Sequence, residues 1–197
     1  MGKTSYHHGN LRAALLAGAG DLLEEKGPAQ LSLREAARRA GVSQTAPYRH
    51  FDSREALLAA LAAKAYHDLA TALNDACKSA AGAPATLHAL GAAYVDFAVE
   101  NPQKFRLMFG PDITMMEEWE DTRAASADVQ NIIETTVGDY LEARRIRLKT
   151  PLVPVASAWS LIHGLAMLMI EQRLGEMSDE DRSALVASVT GFFVTGG

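Results

Sequence analysis

Apolar residues recur along this chain at the three- and four-residue spacing of one helix face, and no stretch alternates strictly as a half-buried strand would. Proline, glycine and cap residues divide the pattern into about nine helical segments. The first is predicted from about Asn10 to Lys26, where Gly27-Pro28 ends it, and the longest from Ser53 to about Ala81. The pattern therefore predicts an all-α protein.

A domain boundary is predicted at Gly82-Ala83-Pro84, directly after the long helix. Because one helix leads up to it, the connection is expected to be rigid. The sequence thus predicts an N-terminal domain over 9–69 and a C-terminal domain over 84–195. In the second domain, helices are predicted at about 85–100, 103–109, 128–148, 150–170 and from 178 onward, and 112–126 as a loop that enters a helix.

The stretch SLREAARRAGVSQTAPYRHF, residues 32–51, has the pattern of a helix-turn-helix unit. Ser32 can cap the first short helix, and the S-x-x-E spacing is that of a capping box. Gly41 suits the left-handed position that ends a helix, and Ser43 can cap a second helix predicted over 44–51. That second helix carries side chains able to donate to phosphates or base edges, which predicts a DNA-reading motif: Gln44, Thr45, Tyr48, Arg49 and His50.

Charge is distributed as this motif requires. The chain carries a net charge of −5, which alone argues against binding to DNA. Residues 1–60, however, hold eight Lys/Arg against six Asp/Glu, whereas the remainder holds eleven against eighteen. The positive end is the end with the motif.

Composition limits the remaining possibilities. Apolar residues at 48% and charged residues at 22% are typical of a globular protein. The single cysteine, Cys77, excludes an intrachain disulfide, and the N-terminus lacks the apolar core of a signal peptide, so a cytoplasmic protein is expected. Residues 150–170 contain no charge, but their prolines, serines and histidine favour a helix buried between its own core and a partner subunit over a membrane span.

The sequence offers little for catalysis or metal binding. His163 lies in an apolar helix, without a Cys/His/carboxylate set at ligand spacing, and is interpreted as a hydrogen-bonded core histidine. No glycine-rich phosphate loop or spaced carboxylate pair is present, so no enzyme activity and no cofactor are expected. The large apolar residues of the predicted C-terminal domain, together with His163, have two interpretations. They line a cavity for a small apolar or aromatic ligand, or they form an ordinary hydrophobic core. The residues are Phe97, Phe105, Met108, Phe109, Met115, Met116, Trp119, Trp159, His163 and Met167.

YHHGNLRAALLAGAGDLLEEKG, followed by LSLREAARRAGVSQTAPYRHFDSREALLAAL, resembles the N-terminal domain of the TetR family of bacterial transcriptional regulators over roughly the first third of the chain. AWSLIHGLAMLM, with Trp159, His163 and Gly164, resembles the tryptophan-histidine-glycine motif of one C-terminal class in that family. The resemblance implies an all-helical homodimer with a three-helix DNA-binding head and a body that holds a small-molecule cavity. The apolar helices at about 152–172 and 179–194 are the expected dimer interface.

The resemblance also assigns roles to single residues. It implies base-edge contacts for Gln44 and Thr45 and phosphate contacts for Tyr48 and His50. Pro47 removes a backbone donor within the reading helix, so that helix is expected to be locally irregular. Helix starts add further phosphate contacts, which completes the DNA-binding set: Ser32, Arg34, Ser43, Gln44, Thr45, Tyr48, His50 and Arg54.

The leading hypothesis is a repressor that binds a palindromic operator as a homodimer and is released by a small, largely apolar or aromatic effector. One alternative is a DNA-binding regulator without a small-molecule ligand, controlled by a protein partner at the apolar C-terminal helices. Another is a helical enzyme that kept the head as a remnant, which would require substrate turnover.

Overall fold

The computed structural model describes residues 8–111, 118–147, 150 and 152–195. Across these residues every regular element is helical, which confirms the all-α prediction. Two short 3-10 helices lie at Pro28–Gln30 and Pro47–Arg49. The α-helices of the described residues are α1 His8–Lys26, α2 Leu33–Arg39, α3 Arg54–Ser79, α4 Ala83–Glu100, α5 Pro102–Phe109, α6 Glu120–Ala143, α7 Leu152–Ile170 and α8 Asp179–Thr195.

Serine side chains begin three of these helices, as their positions predict. The Oγ atoms of Ser32, Ser53 and Ser178 each accept the backbone N–H three residues on, at 3.2, 3.1 and 3.1 Å. Gly41 ends α2 with φ of 68°, and its left-handed backbone lets the following N–H bond back into the last turn. The second half of the predicted capping box is absent, because Glu35 accepts from side chains and not from the cap's backbone.

The second helix of the helix-turn-helix unit departs from the prediction. In place of an α-helix over 44–51, the structure has turns and the 3-10 helix Pro47–Arg49. The N–H of His50 bonds the carbonyl of Pro47, three residues back, at 2.9 Å. Pro47 has no N–H for the bond to residue 43 that an α-helix needs, and its ring favours the tighter turn. The irregularity expected at Pro47 therefore extends over the whole segment.

α6 also differs from its prediction of about 128–148, since it begins at Glu120 and ends at Ala143. Glu120 and Asp121 occupy its first turn, where carboxylates interact favourably with the helix dipole. Arg145, with φ of 56°, ends it in the left-handed conformation.

The chain divides into two compact units. The first comprises the described residues up to Tyr66 together with Gln103–Ala125, so α5 joins the helix-turn-helix segment. Tyr66 donates to the carbonyl of Met108 at 2.7 Å, and Thr122 donates to that of Ala59 at 3.0 Å, both within the core. The core of this unit consists of Leu15, Ala19, Leu23, Leu31, Leu33, Ala36, Ala37, Phe51, Leu57, Leu58, Ala59, Leu61, Ala62 and Leu107, with Trp119 packed against it.

The second unit comprises His67–Pro102 and the described residues from Ser126 onward, and in it α4 packs against α7 and α8. Gly91 permits this packing: a Cβ atom built there would lie 2.6 Å from Cγ2 of Thr190 on α8 and 3.2 Å from Cδ1 of Ile162 on α7. α4 therefore contacts both neighbours without an intervening side chain.

α7 buries only one of its faces. Its length and composition would allow it to cross a membrane, a test that core helices of soluble proteins also pass. Ala158, Ile162 and Leu165 are buried within the chain. Leu152 and Val153 at one end and Leu168 at the other are 67%, 54% and 44% exposed, and Ala156, Ser157 and Ser160 between them are exposed as well, so the surface of α7 left uncovered by the described residues is uncharged.

Candidate DNA interface and apolar cavity

One surface depression in the first unit gathers half of the residues predicted to contact DNA. Ser32, Arg34, Tyr48 and Arg54 line it, with Leu33 and Ser53 between them. The N-termini of α2 and α3 both begin at this depression, since Ser32 and Ser53 are their caps. Helix N-termini carry unpaired N–H groups and partial positive charge, so the depression is suited to an anion such as a phosphate.

Arg54 has a structural task at this site as well. Its Nε donates to the carbonyl of Leu31 at 2.8 Å and its Nη2 to that of Pro28 at 2.6 Å. The side chain thereby holds the turn that leads into α2, while its charge stays at the edge of the depression. Glu55 lies 3.9 Å away, and hydrogen bonds from its own backbone and from Ser53 lower the pKa of this carboxyl.

The segment predicted to read bases is accessible. Ser43, Gln44 and Thr45 are exposed, and Tyr48 is 51% exposed. His50 differs, because its Nε2 is buried and has no hydrogen-bond partner among the described residues. A phosphate contact through that nitrogen would require the ring to move.

Ion pairs remove part of the positive charge of α2. Lys26 and Arg38 bond one oxygen of Glu35 at 2.7 and 3.0 Å, and Arg39 makes a bidentate pair with Glu25 on α1. These partners lower the pKa of Glu35 and of Glu25, and Glu25 raises the pKa of Arg39.

Arg34 and Arg49 have no ion-pair partner in the part of the chain that the structure describes. Their charge adds to that of Arg54 beside Tyr48. Arg34, Arg49 and Arg54 therefore supply positive charge for an external anion at the depression and the adjoining 3-10 helix.

The second unit contains an apolar cavity of about 30 Å³. That volume holds about two water molecules, whereas sites for drug-sized ligands measure roughly 300–1,000 Å³. Trp159 is 40% exposed and forms part of the wall. The cavity is lined by Leu87, Leu90, Gly91, Tyr94, Ile133, Val137, Ala158, Trp159, Leu161, Ile162 and Thr190.

A polar network borders this cavity. The hydroxyl of Tyr94, a residue only 1% exposed, lies 3.0 Å from Nδ1 of His163 and accepts from Nε1 of Trp159 at 3.3 Å. Burial lowers the pKa of His163, which favours the neutral ring. Because the indole can only donate, the arrangement is satisfied when Tyr94 donates its proton to Nδ1. The interpretation of His163 as a hydrogen-bonded core histidine agrees with this geometry.

The residues predicted to bind a ligand are not brought together. Trp159 lines the cavity and His163 lies behind Tyr94, while Met167 is half-buried elsewhere on α7. Phe97 is buried on α4 but does not line the cavity. The others that the structure describes belong to the first unit: the ring centroids of Phe105 and Phe109 lie 4.7 Å apart with their planes tilted by 50°, Met108 is fully buried, and Trp119 packs on the core. Met115 and Met116 lie outside the described residues.

Most of the lining was not predicted as a ligand site. Leu87, Leu90 and Tyr94 follow helical spacing, which indicates an inner face but not a cavity. Gly91 within that face was the one available signal, because a glycine inside a helix often marks a close approach. No group of three potential metal-binding side chains occurs among the described residues.

Two protein families match this chain, one over its N-terminal part and one over its C-terminal part. Residues 15–61 match the family described as bacterial regulatory proteins, tetR family. Residues 87–191 match the family described as tetracyclin repressor-like, C-terminal domain.

Individual relatives cover most of the chain. A protein of unknown function from Rhodococcus sp. RHA1 is 33% identical, with 98% of each chain covered and a TM-score of 0.83. The transcriptional regulator FadR of Bacillus subtilis, in complex with stearoyl-CoA, is 15% identical with a TM-score of 0.75 over 94% of this chain and 99% of that one, a likeness of fold. The nucleoid occlusion factor SlmA of Idiomarina loihiensis is 27% identical over 138 residues, 70% of this chain and 69% of its own length.

Proposed function

Because the chain belongs to the TetR family of bacterial regulatory proteins, a family of DNA-binding transcriptional regulators, we propose that it is a homodimeric repressor released from its operator by a small effector. The observation that carries the proposal is the depression formed by Ser32, Arg34, Tyr48 and Arg54 at two helix N-termini. Phosphates of an operator would bind there, in the cytoplasm, while Gln44 and Thr45 contact base edges.

The uncovered face of α7 supports the dimer. Leu152, Val153 and Leu168 are exposed in one chain, and a Cβ at Gly164 would meet nothing within 4 Å. No described residue therefore requires a glycine at this position, whereas a second helix packed from outside would benefit from one. A symmetric dimer places its two heads on half-sites whose centres lie about 34–36 Å apart along the DNA.

The effector would occupy the cavity beside Tyr94. FadR of Bacillus subtilis, which shares the fold, holds stearoyl-CoA, and this supports a ligand-controlled body here. A ligand that enlarges the cavity would favour conformers whose heads no longer match the half-site spacing. The long helix α3 would transmit the change, because its residues belong to both compact units. Since binding free energies are reciprocal, operator DNA would weaken effector binding by the same factor.

The operator contacts are tested by selecting bound sequences from a random DNA pool with the full chain and measuring the affinity of variants. Tyr48→Ala should weaken binding about equally on all sequences and leave the slope of log affinity against log salt concentration unchanged, because the tyrosine hydroxyl carries no charge. Gln44→Ala should instead relax preference at one base pair. Arg38→Ala is the control, because Glu35 already pairs its charge. Unchanged affinity and preference in both test variants would refute the assigned surface.

The small cavity favours a second candidate, a DNA-binding regulator without a small-molecule ligand that is controlled by a protein partner on the apolar face of α7. A volume of about 30 Å³ admits no effector unless side chains move. The two candidates differ in whether a small molecule alone changes operator affinity of the purified dimer.

A further inference from the structure

The Tyr94 hydroxyl is the polar group around which the cavity of the second unit is arranged. Among the lining residues, side-chain polar atoms belong only to Tyr94, Trp159 and Thr190. The Thr190 hydroxyl bonds the carbonyl of Val186 at 2.8 Å and lies 2.5 Å from Nδ1 of His88, a residue of α4 outside the cavity lining, so protein groups already occupy it. Tyr94, by contrast, is held between two side chains of α7, at 3.0 Å from His163 and 3.3 Å from Trp159.

The charge of the lining restricts the ligand. None of the lining residues carries a formal charge, and His163 behind them is kept neutral by burial, which lowers its pKa. A carboxylate, phosphate or ammonium group moved from water into such a site would lose its hydration without gaining a partner of opposite charge. The cavity therefore disfavours ionic molecules.

Trp159 is the lining residue whose side chain can move out of the cavity wall. Trp159 is 40% exposed within one chain, so its side chain has room to change rotamer at the edge of the cavity, whereas Tyr94 is 1% exposed and enclosed. Its hydrogen bond to Tyr94 is 3.3 Å long, beyond the usual 2.9–3.0 Å of an N–H···O bond, and is correspondingly weak. If the indole leaves, the Tyr94 oxygen loses a donor, and the vacated space has the shape of a flat bicyclic ring.

We propose that this site takes an uncharged, flat aromatic molecule with one N–H or O–H donor, which replaces the Trp159 indole at the Tyr94 oxygen. His163 is the positioning residue, because by accepting the Tyr94 proton it directs an oxygen lone pair toward the incoming donor. This assignment rests on the proposed control by an effector and specifies the chemistry of that effector. It also gives Trp159 and His163, two members of the tryptophan-histidine-glycine motif, a joint task.

The test is isothermal titration of the full chain, without DNA, using four probes that share the indole ring. Indole supplies a neutral N–H donor, 1-methylindole lacks the donor, indole-3-acetate carries a negative charge and tryptamine a positive one. We expect indole to bind about fivefold to tenfold more tightly than 1-methylindole, the value of one hydrogen bond, and both charged probes to bind more weakly than indole.

Variants separate the roles of the side chains. Tyr94→Phe should abolish the difference between indole and 1-methylindole, whereas Tyr140→Phe, a buried tyrosine of α6 outside the cavity lining, should preserve it. Trp159→Phe should bind indole more tightly than the unaltered protein, because the competing donor is gone; a residue that only packed the wall would weaken binding when truncated. His163→Phe should reduce the preference for indole while leaving 1-methylindole binding unchanged.

Binding of none of the probes, equal binding of 1-methylindole, preference for a charged probe, or an unchanged preference in Tyr94→Phe would each overturn the assignment. Operator binding by the same preparation distinguishes the two levels of inference. A dimer that binds its operator but no donor probe retains the proposed DNA-binding function and loses this ligand class.

Discussion

Gly91→Ala is expected to destabilise the second unit, although the change places a better helix former inside α4. The added methyl group would lie 2.6 Å from Cγ2 of Thr190 and 3.2 Å from Cδ1 of Ile162, whereas carbon atoms in contact prefer about 3.5–4.0 Å. Thr190 resists rotation because its hydroxyl bonds both the carbonyl of Val186 and the ring of His88.

Two opposing contributions set the size of the effect. Replacing glycine by alanine in a helix interior stabilises by about 0.8–1.0 kcal/mol, whereas forcing an extra methyl group into a packed core costs about 1–3 kcal/mol. The net loss in free energy of unfolding is therefore about 1 kcal/mol. Thr190→Ser removes the methyl group that clashes and keeps the hydroxyl. In that background Gly91→Ala should cost about 1 kcal/mol less, since most of the overpacking is relieved.

The measurement is urea unfolding followed by far-ultraviolet circular dichroism, with all variants at one protomer concentration so that dimerisation does not bias the comparison. Gly138→Ala in α6 is the matched control, because a Cβ there meets nothing within 4 Å. It should stabilise by about 0.5–1 kcal/mol. If Gly91→Ala stabilises as much as the control, or if Thr190→Ser gives no relief, the close contact between α4 and α8 is not what the glycine serves.

Three further predictions follow from side chains described above. Arg54→Ala should lower the free energy of unfolding by about 2 kcal/mol, because two charge-assisted bonds to the Pro28 and Leu31 carbonyls are lost. Arg34→Ala, the control, should change it by under about 0.5 kcal/mol. Equal effects of the two substitutions would contradict the role of Arg54 in holding the turn before α2. Pro47→Ala should raise the helical circular dichroism signal, and the backbone N–H that residue 47 gains should be protected from hydrogen exchange. If this N–H exchanges as fast as an exposed one, the proline is not what prevents the α-helix. Burial lowers the pKa of His163 in the folded chain. As pH falls below about 6.5, the histidine is therefore protonated in the unfolded chain before it is protonated in the folded chain, and the free energy of unfolding decreases. In urea unfolding at successive pH values, His163→Gln should show a smaller decrease across that window than the unaltered protein.

Helix positions were predictable because the signals that begin and end helices are local. Ser53 caps α3 and Gly27 follows the end of α1 near their predicted positions, since hydroxyl caps and glycine stops act within one turn. Residues 44–51 are predicted as an α-helix because they follow a cap residue, Ser43, and belong to the pattern of a helix-turn-helix unit. One proline outweighs that pattern, since a single missing N–H in a segment this short leaves too few α-type bonds to maintain the helix.

The cavity could not be read from the sequence for a different reason. Helical spacing shows which face of α5 is apolar but not which unit it joins, so the sequence does not show that Phe105 and Met108 lie in a different unit from the cavity beside Tyr94. The polar network joins Tyr94 to a histidine 69 residues away. No local pattern encodes a pairing at that separation; it follows from how α4 and α7 pack.

The place of α5 in the first unit has a consequence for how the protein is made and altered. Leu107 completes the core around the helix-turn-helix segment, and Trp119 covers it, although both follow that segment by more than fifty residues in the sequence. A ribosome therefore releases the reading domain without part of its core and supplies the missing side chains only after α4 has been synthesised. Chimeras that exchange DNA specificity between relatives by joining chains after Tyr66 would separate Leu107 from its partners, so residues 103–125 should be transferred together with the head.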